Sequence, residues 1–259
     1  MSRPTGRTVT VNGQPCRVWE KGGGSPVFYL AGLLGLPRWT PFLDRLAAHH
    51  RVVAPSLPGF PGATGHDRLD SLLDWIAASL DLLEAAGFQG GDLVGASVGG
   101  ALAAEVAAMA PGLVRRLALI APFGLYDKAE PPTDLWAQKP GTLPSLLSAQ
   151  PETLTAFSAA PEDVGAEEWA IVTTRASEAA ARLLWPLADT RLERRLHRIR
   201  CDTLVVWGAD DKVLSPRYAR RFADGIGGRT CVAVTPGAGH LADIDAPDAV
   251  ADAVLQAFR

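Results

Sequence analysis

A serine, a pair of aspartates and a histidine stand in the sequence where they could perform nucleophilic catalysis. Ser97 lies in Gly95-Ala96-Ser97-Val98-Gly99, between the apolar pair Leu93-Val94 and the alanine-rich run 101–110. These small residues predict a sharp turn from a strand to a helix, with the serine hydroxyl exposed at the turn. The helix behind the serine would direct free N–H groups and the positive end of its dipole toward a neighbouring oxyanion. The chemistry that this pattern favours is attack on a carbonyl carbon.

A serine hydroxyl is a weak nucleophile, so Ser97 requires a base and a third group that orients the base. The sequence offers both after later apolar runs: Trp207-Gly208-Ala209-Asp210-Asp211 follows one run, and Gly237-Ala238-Gly239-His240 follows the next. Parallel strands bring their carboxyl ends to one edge of a sheet, where ligands bind. We therefore expect His240 to be the base, and either Asp210 or Asp211 to be the acid that orients it.

The elements that must position these residues alternate along the chain. The chain opens with a predicted antiparallel hairpin, in which Asn12-Gly13 forms the turn between strands at 8–11 and 16–20. Strands and helices then alternate, which predicts right-handed crossovers and a mostly parallel sheet. Further strands are expected at 26–30, 51–54, 92–94, 114–120, 203–207 and 230–234, and helices at 39–48, 69–86, 216–226 and 246–258, besides the helix after Ser97.

This alternation stops after the strand at 114–120. Residues 123–198 contain no predicted strand, only short helical pieces separated by prolines and a longer helix at 166–184. We interpret the segment as a helical cap inserted into a core domain that consists of 1–122 and 199–259. An insertion that leaves the strand beside the serine's own strand emerges at the carboxyl edge of the sheet, over the nucleophile.

Large aromatic side chains in the cap are candidates for the walls of a substrate pocket. A segment this small cannot bury all of them within itself, so some must pack on the core or face the pocket. Trp136 and Trp185 stand near prolines at predicted helix ends, where cap segments turn toward the site. We expect these two to bind substrate; the alternative for each is a core anchor. The full set is Trp136, Phe157, Trp169 and Trp185.

Composition and charge exclude several classes of function. The 259 residues can bury a sizeable core, and a formal net charge of -3 with a single basic cluster at 191–200 argues against a nucleic-acid surface. The three cysteines are scattered, which indicates neither a disulfide framework nor a metal site. Residues 1–12 lack the layout of a secretory signal, and no apolar run approaches the ~20 residues that cross a bilayer. We expect a cytoplasmic protein without membrane or nucleic-acid partners.

The sequence resembles the α/β-hydrolase family over almost its whole length. The resemblance rests on G-x-S-x-G at Ser97, W-G-x-x-D at 207–211 and G-x-G-H at 237–240, in the family's chain order of Ser, Asp and His. It implies an α/β fold with a mostly parallel sheet of about eight strands, helices on both faces and a cap inserted after the sixth strand. It also implies that Ser97 is the nucleophile, Asp211 the orienting acid and His240 the general base.

The family also implies an oxyanion hole built from two backbone N–H groups. One belongs to Val98, directly after the nucleophile, and the other to Leu33, in the loop after the third strand. Family members usually carry His-Gly before this position, whereas this chain carries Ala31-Gly32. The donor is a backbone amide, so the different side chain does not remove the hole.

The reaction that the resemblance implies is hydrolysis of a carboxylic ester or lactone of a small, largely apolar substrate, through an acyl-enzyme on Ser97 and without a metal or organic cofactor. One alternative is hydrolysis of carbon–carbon bonds in vinylogous diketones. That group commonly has tryptophan where this chain has Leu241, and asparagine where it has Ala96.

Cofactor-free perhydrolase activity would use the same residues. An alternative of another class is a small-ligand binding or receptor protein on the same fold. The oligomeric state is left open, with a homodimer among the alternatives.

Overall fold

The computed structural model describes residues 3–259, except for the side chain of Pro140. Met1 and Ser2, which the sequence assigns to the core domain, lie outside the described residues. Within this range the strands are β1 (Thr5–Val11), β2 (Gln14–Lys21), β3 (Pro26–Leu30), β4 (Arg51–Pro55), β5 (Gly91–Ala96), β6 (Val114–Ile120), β7 (Asp202–Gly208) and β8 (Thr230–Thr235).

The strands form one sheet in the order β1-β2-β4-β3-β5-β6-β7-β8. β1 and β2 form the predicted antiparallel hairpin, and β2 also pairs antiparallel with β4. All pairs from β4 and β3 onward to β8 are parallel. The prediction of a mostly parallel sheet of about eight strands is therefore confirmed.

Helices connect the strands and contain the residues that the hydrophobic spacing predicts. In the described part of the chain the α-helices are α1 (Pro41–Ala47), α2 (Leu72–Ala85), α3 (Ser97–Met109), α4 (Leu143–Leu147), α5 (Pro151–Ser158), α6 (Ala166–Leu184), α7 (Arg217–Gly225), α8 (Ala242–Asp245) and α9 (Pro247–Ala257).

Helix boundaries differ from the predicted ones where a capping residue or a proline sets them. α2 begins after Ser71 rather than at Leu69, because the Ser71 hydroxyl accepts a hydrogen bond from the Asp74 N–H and the Asp74 carboxylate accepts one from the Ser71 N–H. The helix expected at 246–258 is present as α9, which begins at Pro247, and a separate short helix that was not predicted, α8, precedes it.

Both faces of the sheet are covered, which explains why its parallel strands are continuous apolar runs. Val27 and Phe28 are neighbours in β3 and are buried in the cores on opposite faces. α1 and α9 supply side chains to the first core, and α2, α3 and α7 supply side chains to the second. The strand that leads to Ser97 is thus held from both sides.

A buried ion pair fixes the start of β5. The Asp92 side chain is 0% exposed, and both of its oxygens accept hydrogen bonds from Arg115 and from Arg116, at 2.5–3.0 Å. Burial alone would raise the pKa of Asp92, but the hydrogen bonds from the two guanidinium groups outweigh it and hold the pKa below its usual range. The carboxylate therefore stays charged and ties β5 to β6.

A second buried carboxylate anchors the helix behind Ser97. Glu105 of α3 accepts hydrogen bonds from Arg195 at 2.6 and 2.7 Å and from the Thr190 hydroxyl at 2.9 Å. The Arg195 guanidinium also donates to the Thr190 carbonyl at 2.7 Å. These bonds join α3 to the end of the segment that precedes β7.

All the regular secondary structure described between β6 and β7 is helical. Within the described residues of 123–198 this segment contains α4, α5, α6 and short 3₁₀ turns, and no strand. We call 123–198 the cap segment; its division from the core as a separate domain stays a prediction. None of the helices formed by residues 3–259 is long and apolar enough to cross a membrane.

Candidate active site

Ser97 lies at the junction of β5 and α3, in a backbone conformation that few residues adopt. Its φ is +52°, and it is the first residue of α3. The turn depends on glycine nearby: a Cβ at Gly99 would lie 2.3 Å from the Leu30 carbonyl oxygen, and one at Gly95 would lie 2.5 Å from the Gly99 oxygen. Strained backbone of this kind is typical of functional positions, and it requires the small residues that flank the serine.

The structure brings together the three side chains that the sequence selects. The Ser97 hydroxyl lies 2.8 Å from His240 Nε2, and His240 Nδ1 lies 3.0 Å from Asp211 Oδ2. All three residues are buried, whereas Asp210 is exposed. The carboxylate accepts the Nδ1 proton, so Nε2 is left to accept the proton of the serine. The arrangement can raise the nucleophilicity of the hydroxyl.

The second oxygen of Asp211 fixes the orientation of its carboxylate. Oδ1 accepts the backbone N–H groups of Val213 at 2.8 Å and Leu214 at 2.9 Å. Oδ2 is thereby turned toward the imidazole. On the other side of His240, the ring of Phe123 packs with its centroid 4.9 Å away. The His240 ring is held between a hydrogen-bonded carboxylate and an aromatic ring.

The two amides expected to form an oxyanion hole flank the serine. Val98 N–H is in the first turn of α3, and the loop of Leu33 approaches from β3: a Cβ at Gly32 would lie 3.2 Å from Ser97 Cβ. Among the hydrogen bonds within residues 3–259, neither Val98 N–H nor Leu33 N–H is a donor. Both amides are therefore available to a ligand, and Ala31-Gly32 in place of His-Gly leaves the close approach of this loop intact.

A cavity of about 540 Å³ lies between the loop after β3 and the cap segment. Leu33 belongs to its lining, so the cavity reaches the residue whose amide is an expected oxyanion donor. Ser97 itself is fully buried and does not contribute to the lining. The walls are mostly leucine, alanine, proline and tryptophan, and no charged side chain of the described residues lines them. The cavity therefore favours an uncharged, apolar group.

Two tryptophans line this cavity, and only one of them is a predicted wall. Trp136 is in the lining, and its indole N–H donates to the Ser177 carbonyl at 3.3 Å. Trp169 is the other, and its indole N–H donates to the Ser158 carbonyl at 2.9 Å. The Trp136 ring is thus bonded to α6, and the Trp169 ring, which belongs to α6, is bonded to the end of α5. Sequence reasoning named Trp169 as a large apolar residue but did not select it.

The expectation that Trp185 is a pocket wall is wrong. Trp185 is 61% exposed and lies outside the cavity lining. On α6 the cavity is lined by Trp169, Thr173 and Ala176, at the spacing of a helical stripe, whereas Trp185 follows the last residue of the helix in extended backbone. That stripe is the sequence signal that would have selected Trp169.

A second histidine is buried beneath the cap segment, away from the large cavity. His66 is 6% exposed and packs beneath α6, with Nε2 3.4 Å from a Glu178 carboxylate oxygen. It does not line the large cavity.

In the described residues no group of three His, Cys, Asp or Glu side chains is arranged to hold a metal ion.

Comparison with known proteins places these observations in one family. Residues 22–253 match the model described as the alpha/beta hydrolase family. The chain is 31% identical over 280 residues to the dihydrolipoyllysine-residue acetyltransferase component of an acetoin cleaving system from Pseudomonas putida, covering 99% of this chain and 70% of that protein.

Two further similarities concern hydrolases. The chain is 28% identical over 228 residues to a 2-hydroxy-6-oxo-2,4-heptadienoate hydrolase from Pseudomonas putida, covering 81% of this chain and 80% of that protein. The crystal structure of a serine hydrolase involved in carbazole degradation matches with a TM-score of 0.72 and 26% sequence identity, covering 98% of each chain.

Proposed function

Because the chain belongs to the α/β-hydrolase family, we propose that it is a serine hydrolase that cleaves a neutral carboxylic ester or lactone with an apolar acyl group. The observation that carries the proposal is the hydrogen-bonded series from Ser97 through His240 to Asp211, which we call the triad. A buried serine with a base on its hydroxyl and an oriented carboxylate behind the base is suited to acyl transfer.

In the proposed reaction the triad transfers one proton in each of two half-reactions and forms one transient covalent bond. His240 Nε2 takes the hydroxyl proton as Ser97 Oγ attacks the carbonyl carbon, and the amides of Val98 and Leu33 stabilise the oxyanion. When the tetrahedral intermediate collapses, His240 donates that proton to the leaving alkoxide. His240 then takes a proton from the water that attacks the acyl-enzyme, and it returns that proton to Ser97 Oγ as the second tetrahedral intermediate collapses and the acid is released.

The cavity supports a neutral acyl group over an anionic one. Burying a carboxylate among uncharged walls costs several kcal/mol unless a cation or hydrogen-bond donors replace its water. The described lining of this cavity offers hydroxyls from Ser158, Thr173 and Ser177 but no charged group. The Thr173 hydroxyl already donates within its own helix, to the carbonyls of Trp169 and Ala170.

Hydrolysis of a carbon–carbon bond is the second candidate, because a relative 28% identical to this chain is named as a heptadienoate hydrolase. A dienoate is an anion, so this candidate requires a site for its carboxylate. The absence of charge from the described cavity lining disfavours it.

A pair of substrates of matched length tests the proposed function. The p-nitrophenyl ester of hexanoic acid and the p-nitrophenyl monoester of adipic acid share a leaving group and differ by a terminal carboxylate. We expect kcat/KM to be at least about 100-fold higher for the hexanoate, which corresponds to roughly 2.7 kcal/mol of differential transition-state binding. Faster turnover of a 2-hydroxy-6-oxo-dienoate than of either ester would instead favour the carbon–carbon hydrolase.

The acyl preference should depend on Trp136. Trp136→Ala removes a cavity wall without touching the triad, so it should allow larger acyl groups. We expect the ratio of kcat/KM between a bulky and a short ester to rise at least about tenfold, or roughly 1.4 kcal/mol. Trp185→Ala is the matched control, because Trp185 is exposed and outside the cavity. Equal ester rankings in the parent protein and a folded Trp136→Ala variant would remove Trp136 from the specificity element.

A further inference from the structure

A carboxylate outside the triad joins the loop of His240 to the cap segment. Asp245 is 6% exposed, and its Oδ2 accepts the backbone N–H of Gly239 at 2.7 Å and that of Ala149 at 2.8 Å. Its Oδ1 accepts the Ser148 hydroxyl. One buried carboxylate therefore holds both the residue before His240 and the junction between α4 and α5.

The residue after the base is attached to the same junction. Leu241 N–H donates to the Leu147 carbonyl at 3.0 Å. The two backbones are in direct contact, since a Cβ at Gly239 would lie 2.8 Å from the Ala149 nitrogen. Both neighbours of His240 in the chain are thus held at this junction. Leu241 bonds to it directly, and Gly239 bonds to the Asp245 carboxylate, which also binds Ala149.

The opposite side of this loop rests on the loop of the triad's acid. Asp210 N–H donates to the Ala238 carbonyl at 2.9 Å, and a Cβ at Gly208 would lie 2.1 Å from the Gly239 oxygen. The loop of His240 is therefore clamped between the end of β7 and the cap segment. On the cap side, the Asp245 carboxylate accepts three of the hydrogen bonds at this contact, from Gly239, Ala149 and Ser148.

We propose that Asp245 is a positioning residue through which the cap segment holds His240 Nε2 at the Ser97 hydroxyl. The inference rests on the proposed function, because it assigns His240 the role of the base. Without the carboxylate, the buried N–H of Gly239 would have no acceptor and the half-buried N–H of Ala149 would lose its partner, so the loop of His240 would move to satisfy the Gly239 amide. A shift of about 1 Å in a catalytic group can cost about 100-fold in rate.

The test compares Asp245→Ala with Asp245→Asn. Alanine removes every acceptor. Asparagine can place its carbonyl oxygen where Oδ2 lies, to accept both amides, and its NH₂ group can donate to the Ser148 hydroxyl. We expect Asp245→Ala to lower kcat about 10–100-fold with KM within about threefold of the parent value, and Asp245→Asn to restore kcat to within about fivefold. Asp248→Ala, at an exposed aspartate in α9, is the matched control.

A spectroscopic measurement separates positioning from general damage. The proton that His240 Nδ1 shares with Asp211 should give a downfield resonance in proton NMR, and Asp245→Ala should shift or broaden it while Asp245→Asn retains it. Parent-like kcat and resonance in Asp245→Ala would overturn the inference. So would equal losses of kcat in the alanine and asparagine variants.

If Asp245→Ala does not fold, Ser148→Ala decides the question, because it removes only the hydroxyl that binds Oδ1. A fall in kcat of about 3–10-fold, with KM within about threefold, is expected, and an unchanged kcat would overturn the inference. Failure of the proposed function looks different: the parent protein would neither hydrolyse an ester nor react with a fluorophosphonate. The NMR signal would still report whether Asp245 positions His240.

Discussion

Ser97→Ala is expected to abolish ester hydrolysis, with kcat reduced by about 10⁵–10⁶-fold and covalent labelling by a fluorophosphonate lost. Oγ is the only non-hydrogen atom that the substitution removes, and in the proposed reaction Oγ forms the bond to the acyl group. The residual rate would come from the oxyanion donors and the binding cavity alone, and losses of this size accompany removal of the nucleophile in other triad enzymes. Alanine tolerates the φ of +52° no worse than serine does.

The measurement combines mass spectrometry of the labelled protein with kcat from active-site-titrated parent enzyme. Thermal unfolding should show that Ser97→Ala is folded. Ser25→Ala is the control: Ser25 is exposed and precedes β3, at the end of the sheet away from the triad. A label that persists in Ser97→Ala would assign the nucleophile to another residue.

The sheet could be predicted from the sequence because its signals are local. Val27, Phe28 and their neighbours form an apolar run since both faces of β3 are buried, and Asn12-Gly13 has the composition of a tight turn. The turn at Ser97 has a local signal in its two glycines: Gly95 is required by its close approach to Gly99, although Gly99 is required by β3, which is distant in the chain.

The cap segment could be predicted in outline but not in its contacts. Prolines mark its helix ends, yet which aromatic ring faces the cavity depends on how α6 is rotated against the core. Trp169 is on the stripe of that helix that lines the cavity, and the exposed Trp185 follows the end of the helix. Proximity to a proline was therefore the wrong criterion for choosing the aromatic walls of the cavity. His66 is buried for the same reason, since α6 with Glu178 lies over it.

Asp245 had no signal in the sequence at all. Its partner Ala149 is 96 residues away, and the contact exists only because the cap segment folds back onto the loop of His240. The candidate acids Asp210 and Asp211 are adjacent in the chain, and residue types alone do not distinguish them. The structure separates them by exposure and by the two backbone N–H groups that Asp211 accepts.

Asp211→Asn is expected to lower kcat by up to about 10⁴-fold, because it reverses the tautomer of the base. The N–H groups of Val213 and Leu214 both point at Oδ1, so the carbonyl oxygen of the asparagine must occupy that position. Its NH₂ group then faces His240 Nδ1, which must accept a hydrogen bond instead of donating one. The ring proton moves to Nε2, where it blocks acceptance of the Ser97 proton.

Asp210→Asn is the matched control for this effect, since Asp210 is exposed and its contact with the loop of His240 uses the backbone N–H, which the substitution keeps. We expect its kcat to stay within about threefold of the parent value, because a surface carboxylate contributes little to a buried base. kcat should be measured with the p-nitrophenyl ester for which chemistry limits the rate, since slow product release would hide part of the loss. A large loss in Asp210→Asn together with a small one in Asp211→Asn would transfer the role of orienting acid to Asp210, and comparable small losses in both would mean that His240 keeps its tautomer without either carboxylate.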